Sequence, residues 1–112
     1  MKKIEAVIRP EKVGAVRKAL EKVKFTGLTI TQVDGHGKEK GTTQKFQGRV
    51  YKVGLLPKTK LEIIASDEQV DSILKAMVEA GRTGKIGDGK IFVYTIETAI
   101  RIRTGEKGVD AL

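Results

Sequence analysis

The feature that most constrains this chain is a strand–helix–strand pattern that occurs twice. Residues 3–27 resemble residues 60–84 at a shift of 57, with KIEAVIRPEKVGAVRKAL over KLEIIASDEQVDSILKAM and FTG over RTG. Eight of the 25 positions are identical: Lys3/Lys60, Glu5/Glu62, Glu11/Glu68, Val13/Val70, Lys18/Lys75, Ala19/Ala76, Thr26/Thr83 and Gly27/Gly84. Two unrelated strand–helix units would share part of this pattern, so each half is also read by its own periodicity. In the first, Ile4, Ala6 and Ile8 alternate with Glu5, Val7 and Arg9, which predicts a strand. Pro10 suits a first helical turn, and Val13, Val16, Leu20 and Val23 form one apolar stripe. In the second, Leu61, Ile63 and Ala65 alternate with Glu62 and Ile64. Ser66 and Gln69 have capping-box spacing, and Val70, Ile73, Leu74, Met77 and Val78 recur at helical spacing. Each half closes with a further strand, 28–36 (LTITQVDGH) and 91–96 (IFVYTI), rich in β-branched and aromatic residues.

Two such helices need one shared sheet face to bury their stripes. The economical arrangement is α+β, a ferredoxin-like split βαβ with an antiparallel four-stranded sheet and both helices on one side. The other face would carry Val7, Ile64, Phe92 and Tyr94. No third layer remains in the chain to cover it, so it is expected to meet other subunits or a partner.

With 112 residues the chain has the length of a single domain, taken here as 1–112. It contains no cysteine, which removes disulfides and thiolate metal sites. No apolar run approaches a membrane span, and the opening MKKIEAVIRPEK does not form a signal peptide. A cytoplasmic location without membrane insertion is expected. The net charge of +8 points to anionic partners. Most of the excess lies in residues 36–60, where seven cations (Lys38, Lys40, Lys45, Arg49, Lys52, Lys58, Lys60) face one anion, Glu39. Residues 37–55 form a long glycine-containing, cationic connection with little periodicity, of the kind that is functional or simply a solvated loop. It contains Phe46 and Tyr51; an exposed Tyr51 is either a partner contact or modification target, or part of a hairpin whose tyrosine packs on its own loop.

Little catalytic machinery is present. His36 is the one histidine, flanked by glycine. Serine occurs only at Ser66 and Ser72, and there is no asparagine. A nucleophilic triad and an acylphosphatase-type site both lack parts. What remains is suited to binding anions. Gly84 to Lys90 fits G-x-x-x-x-G-K, but Ile91 stands where a P-loop needs Ser or Thr, and here a helix precedes and a strand follows, the reverse of P-loop order. The stretch 82–90 is therefore either a glycine-rich turn or a different phosphate cradle. In the latter, backbone N–H groups around Gly84, Gly87 and Gly89 converge with Lys90. Arg101 and Arg103, in IRIRTGE, would lie on one side of an extended segment. There they would face a phosphate chain or stand as exposed edge residues.

TGKIGDGKIFVY (83–94) followed by IRIRTGE (100–106) resembles the PII signal-transduction protein family, and the resemblance runs the length of the chain. MKKIEAVIRPEK, GLTIT (27–31) and GRVYKVGLLPK (48–58) support it. It implies a ferredoxin-like subunit with a T-loop at about 37–55, a phosphate loop at about 82–90 and a C-terminal loop at about 97–112. It also implies a homotrimer with the sheets facing inward, and a non-enzymatic sensor. ATP and ADP would compete for clefts between subunits, and Mg-ATP would recruit 2-oxoglutarate. The T-loop would then engage or release targets such as ammonium transporters, glutamine synthetase, nucleotidyl-transferring enzymes or regulators.

By position, the resemblance gives Gly87, Asp88, Gly89 and Lys90 to the phosphates, with Gly37 and Lys38 adding contacts. Arg101 and Arg103 would come from the adjacent subunit. Val7, Gly27, Leu28, Thr29, Glu62 and Ile64 would surround base and ribose. Lys58 would pair with a 2-oxoglutarate carboxylate, near Lys38, Glu39 and Leu56. Tyr51 matches a nucleotidylation site, and Phe46, Arg49 and Tyr51 would contact targets. Departures also show. Glu39 replaces a glutamine that helps hold Mg²⁺, placing a carboxylate beside a dianionic ligand, so ATP binding is expected to survive and 2-oxoglutarate binding to weaken. Gln44, Gln47 and Gly54 replace residues commonly charged. The competing readings are a basic ferredoxin-like nucleic-acid-binding module, which as an RNA-recognition domain would need stacking aromatics on the first and third strands, and a small phosphoryl-transfer enzyme, which lacks its catalytic residues here.

Overall fold

The computed structural model describes residues 1–35, 44–46, 49–51 and 55–112, the two short middle segments as strands only. Strand β1 is Lys2–Ile8, and its Ile4, Ala6 and Ile8 are buried while Lys3, Glu5 and Val7 face the other way. A single 3₁₀ turn, Pro10–Lys12, leads into helix α1, Val13–Leu20, with Pro10 at the first position as its fixed φ favours. Val16 and Leu20 are buried on its inner stripe. Val23 was expected to continue that stripe. Instead the helix ends at Leu20, because the chain tightens into i→i+3 bonding through Lys22 N–H to Ala19 and Val23 N–H to Leu20. Val23 still packs against the core from the turn beyond.

Strand β2 is Thr29–Gly35, shorter than expected: Leu28 packs against the core instead, and His36 lies outside the described residues. Strands β3 (Gln44–Phe46) and β4 (Arg49–Tyr51) pair antiparallel, Lys45 opposite Val50, within the stretch for which the sequence leaves a loop or a hairpin open. The aromatic and β-branched types at 46, 50 and 51 are suited to such pairing. Strand β5 is Leu56–Ala65, and a 3₁₀ turn, Asp67–Gln69, opens helix α2, Val70–Gly81. The expected capping box is present, with the Ser66 side chain facing the Gln69 N–H and the Ser66 N–H donating to Gln69 Oε1 at 3.2 Å. Ile73 and Met77 are buried. Val78, expected on the same stripe, is at its margin and exposed. Strand β6 is Lys90–Thr95, one residue earlier than predicted, and Ile96 bonds through its N–H to Met1 O.

The main sheet has the order β2-β5-β1-β6 and is antiparallel throughout. Ile4, Leu61, Ile63, Val16, Leu20, Ile73 and Met77 close one core between sheet and helices. This is the ferredoxin-like α+β arrangement. The internal repeat is also visible, since the two 3₁₀ turns and the starts of both helices are 57 residues apart. The last strands break the rule. Thr29 stands opposite Glu62, and its counterpart Phe92 stands opposite Glu5, an offset of 63. The second half therefore carries six extra residues between helix and strand, and they lie in the glycine-rich stretch before β6.

The sheet face away from the helices carries what alternation assigned to it. Val7 and Ile64 are half-buried, and Phe92 and Tyr94 are each 45% exposed. Between them runs a charged row: Lys3 Nζ lies 3.0 Å from Glu62 Oε2 and 3.6 Å from Glu5 Oε1, and Lys60 Nζ lies 3.5 Å from Glu62 Oε1. The Tyr94 hydroxyl donates to Glu5 at 3.1 Å, which together with partial burial pushes its pKa up. Glu62 is held below the usual carboxylate range mainly by its bond from Lys3.

Residues 97–112 are not simply a loop. Ile100 bridges to Lys107, and a 3₁₀ turn spans Gly108–Ala111. The expectation of an extended 101–103 segment with both guanidinium groups on one side is corrected here. Gly105 N–H closes a turn onto Arg101 O at 2.7 Å, and Arg101 reaches back to Glu106 Oε1 at 2.8 Å and Leu112 O at 3.0 Å. Arg103 is exposed on the turn. A nearby carboxylate and an open carbonyl satisfy Arg101 better than water alone would, and strand alternation does not survive that folding back.

Candidate functional site

The stretch between α2 and β6 is built around one side chain. Asp88 Oδ2 accepts from the N–H groups of Thr83 and Gly84, each at 2.8 Å. Its Oδ1 accepts from the Thr83 hydroxyl and from Arg9 Nε, the latter at 3.1 Å. These bonds, the one from the Thr83 hydroxyl foremost, hold the carboxyl well below the usual carboxylate range against the opposing effect of partial burial. Gly84, Gly87 and Gly89 all have positive φ, so the path needs glycine. Gly89 is also pressed onto β1: a Cβ there would lie 1.7 Å from Val7 O.

Two cations grip the loop's carbonyls. Arg9 Nη2 donates to Ile86 O at 2.7 Å, and Lys58 Nζ donates to Gly87 O at 2.9 Å. Lys58 is 9% exposed, its stem lying over Gly35, where a Cβ would come within 2.8 Å of its Cγ. Lys90 opens β6 opposite Val7 and is exposed. The loop also walls an open groove of about 360 Å³ on the helix side, against Met77, Val78 and Gly81.

The residues expected around a base share the open sheet face. Thr29, Glu62 and Glu5 stand in one row across β2, β5 and β1, with Val7 and Ile64 in the rows to either side. Gly27 is exposed before β2, whereas Leu28 turns toward the core. Val7 and the glycine loop meet at one end of the sheet. Arg101 and Arg103 follow β6 from its other end, where Thr95 pairs with Lys2. Leu56 begins β5 opposite Gly35. Gly37, Lys38 and Glu39 lie outside the described residues, as do the side chains of Phe46, Arg49 and Tyr51 and positions 47 and 54. Among the described residues no cluster of His, Asp and Glu is arranged to hold a metal ion, and no helix is long and apolar enough to cross a membrane.

The family model for nitrogen regulatory protein P-II matches residues 1–106. The chain belongs to the P-II nitrogen regulatory family. It is 54% identical over 112 residues to the nitrogen regulatory protein P-II of Pasteurella multocida, covering the whole of both chains. The P-II protein of Rhodospirillum rubrum is 50% identical, again over the whole of both chains. Nitrogen regulatory protein P-II 2 of Methanothermobacter thermautotrophicus is 48% identical over all of this chain and 97% of its own. A P-II chain is a regulator tied to nitrogen, and the ferredoxin-like fold found here is the one expected of it.

Sequence reasoning missed two residues of this P-II chain's glycine loop. Arg9 was read only as a strand-end residue, and Thr83 only as part of the repeat and of the 83–94 motif, with no role in the loop. An acidic residue flanked by glycines, five positions after a threonine, is a signal for a self-bonded turn and could have pointed to Thr83. Arg9 had no such local signal, because its partner is 79 positions away.

Proposed function

We propose that this P-II chain is a non-catalytic sensor that binds ATP or ADP in clefts between the subunits of a cytoplasmic homotrimer and relays its state through residues 37–55. The observation that carries the reading is the glycine loop at the end of the open face, held by Asp88, Arg9 and Lys58 and opening onto Lys90. Phosphates would lie against Gly87, Asp88, Gly89 and Lys90. The base would lie against Val7, Glu62 and Ile64, with Gly27, Leu28 and Thr29 beside it. Arg101 and Arg103 would come from the neighbouring subunit, and Gly37 and Lys38 would complete the phosphate contacts. Lys58 touches the loop directly, so a carboxylate ligand drawing on its ammonium would be felt at Gly87. That ligand would be 2-oxoglutarate, alongside Lys38, Glu39 and Leu56, with Glu39 and the ATP phosphates as the Mg²⁺ donors. Mg²⁺ would neutralise phosphate charge and offer 2-oxoglutarate a chelation site.

The targets would be nitrogen-metabolism proteins such as an ammonium transporter, glutamine synthetase or a regulator, met through Phe46, Arg49 and Tyr51, with Tyr51 open to nucleotidylation. A nucleic-acid role is disfavoured because the lysines in the middle of the open face, Lys3 and Lys60, are already paired with Glu5 and Glu62 and leave no basic stripe there for a phosphate backbone. Isothermal titration with ATP and ADP tests the core of the proposal. Saturable binding of one nucleotide per subunit is expected, and its absence for both nucleotides would reject it. Titration of 2-oxoglutarate in the presence of Mg-ATP tests the role of Glu39. Weak binding that Glu39→Gln strengthens is expected, whereas tight binding indifferent to that change would count against it.

A further inference from the structure

We infer that the Asp88 side chain is a positioning group for phosphate recognition: its carboxylate acts through Thr83, Gly84 and the loop peptides, and only the backbone N–H of this residue faces the ligand. The inference rests on the nucleotide reading above. A carboxylate in the middle of a phosphate-binding stretch has the wrong charge for its place, since like charges at contact repel. The geometry removes the conflict. Both Asp88 oxygens are turned into the loop, where they take two N–H groups, one hydroxyl and one guanidinium N–H. One side chain thus closes 83–88 upon itself, and Arg9 fastens the closed stretch to the end of β1.

The remaining peptides are then set by their carbonyls. A trans peptide is planar with its C=O and N–H pointing opposite ways. Arg9 holds Ile86 O, which fixes the plane carrying the Gly87 N–H. Lys58 holds Gly87 O, which fixes the plane carrying the Asp88 N–H. Among the described residues neither of these N–H groups makes a hydrogen bond. Two successive N–H groups are thereby held ready, and successive donors of this kind form an anion cradle. Without Asp88 the loop keeps its glycines and its cations but loses the anchor that holds Thr83 and Gly84 in place and draws Arg9 to the loop. The donors would then have to be ordered at the expense of binding.

The test compares wild type with Asp88→Asn, Thr83→Val and Thr83→Ser, all close in shape to the native residue. ATP and ADP are titrated by calorimetry, and adenosine, which has no phosphate, is followed by amide chemical shifts. Asp88→Asn and Thr83→Val are expected to weaken ATP and ADP by about tenfold to a hundredfold. Adenosine binding is expected to stay at the wild-type level, and Thr83→Ser, which keeps the hydroxyl, to recover most of the loss. A purely structural role would lower adenosine and ATP together, and that outcome overturns the inference. Wild-type ATP affinity in Asp88→Asn and Thr83→Val also overturns it while leaving the nucleotide reading intact. A wild-type protein that binds neither ATP nor ADP refutes the nucleotide reading itself, and the inference goes with it.

Discussion

Gly89 shows how little room a single residue can have. Its φ of +95° already disfavours a side chain, and a Cβ would collide with the Val7 carbonyl. Gly105 also has positive φ, at +75°, but has open space around it. Gly105→Ala should therefore cost roughly 1 kcal/mol, and Gly89→Ala should exceed the roughly 1–3 kcal/mol of backbone strain alone, as urea melts of the two variants would read. Asp88 makes a prediction about pH. Its folded pKa is depressed, so its contribution to stability is complete above the unfolded value, near about 4. The contribution is lost only as pH falls from there through the folded value. The stability gap between wild type and Asp88→Asn should stay constant from about pH 8 to pH 5 and narrow below about pH 4. A gap that closes already near neutrality would mean that the carboxylate is not held as described.

Among the elements, α2 combines a capped start with a buried stripe. Ser66→Ala removes the capping side chain and should cost about 1 kcal/mol. Ile73→Ala empties a fully buried position and should cost about 2–5 kcal/mol. Thermal or urea unfolding would rank them, and a larger loss at Ser66 would contradict the packing. Strand alternation at Ile4, Ala6 and Ile8, the capping box and the pairing of two repeated halves were all legible in the sequence. Each depends on neighbours within a turn or two, or on a period that the sequence displays. The inward turn of Asp88 was not legible, because Arg9 completes it from a distant strand. Arg101 was misread for a similar reason: its partners, Glu106 and the Leu112 carbonyl, become neighbours only after the chain doubles back. The six additional residues before β6 were visible only as a delay of the strand, and their size emerged from the sheet register.

On the scale of the whole molecule, the sheet has one face covered by helices and one left with Phe92 and Tyr94 nearly half exposed beside a charged row. If subunits close over this face, a cation in place of the exposed Phe92 on its edge strand β6 should separate them. Phe92→Lys is expected to shift sedimentation from a trimer toward a monomer while the helical circular dichroism is retained, because the core lies on the opposite side. An unchanged assembly would place the subunit contacts elsewhere. The two ends of the 36–55 excursion have a consequence of a different kind. Gly35 and Leu56, which flank it, are paired directly across β2 and β5. The chain leaves the main sheet at Gly35 and rejoins it directly opposite at Leu56, and the described strands between them, β3 and β4, pair with each other in a sheet of their own. Loop length affects closure entropy only weakly. Residues can be exchanged, added or removed there without disturbing the core. An insertion or deletion between Gly35 and Leu56 therefore leaves the β2–β5 register, and the core behind it, as they are.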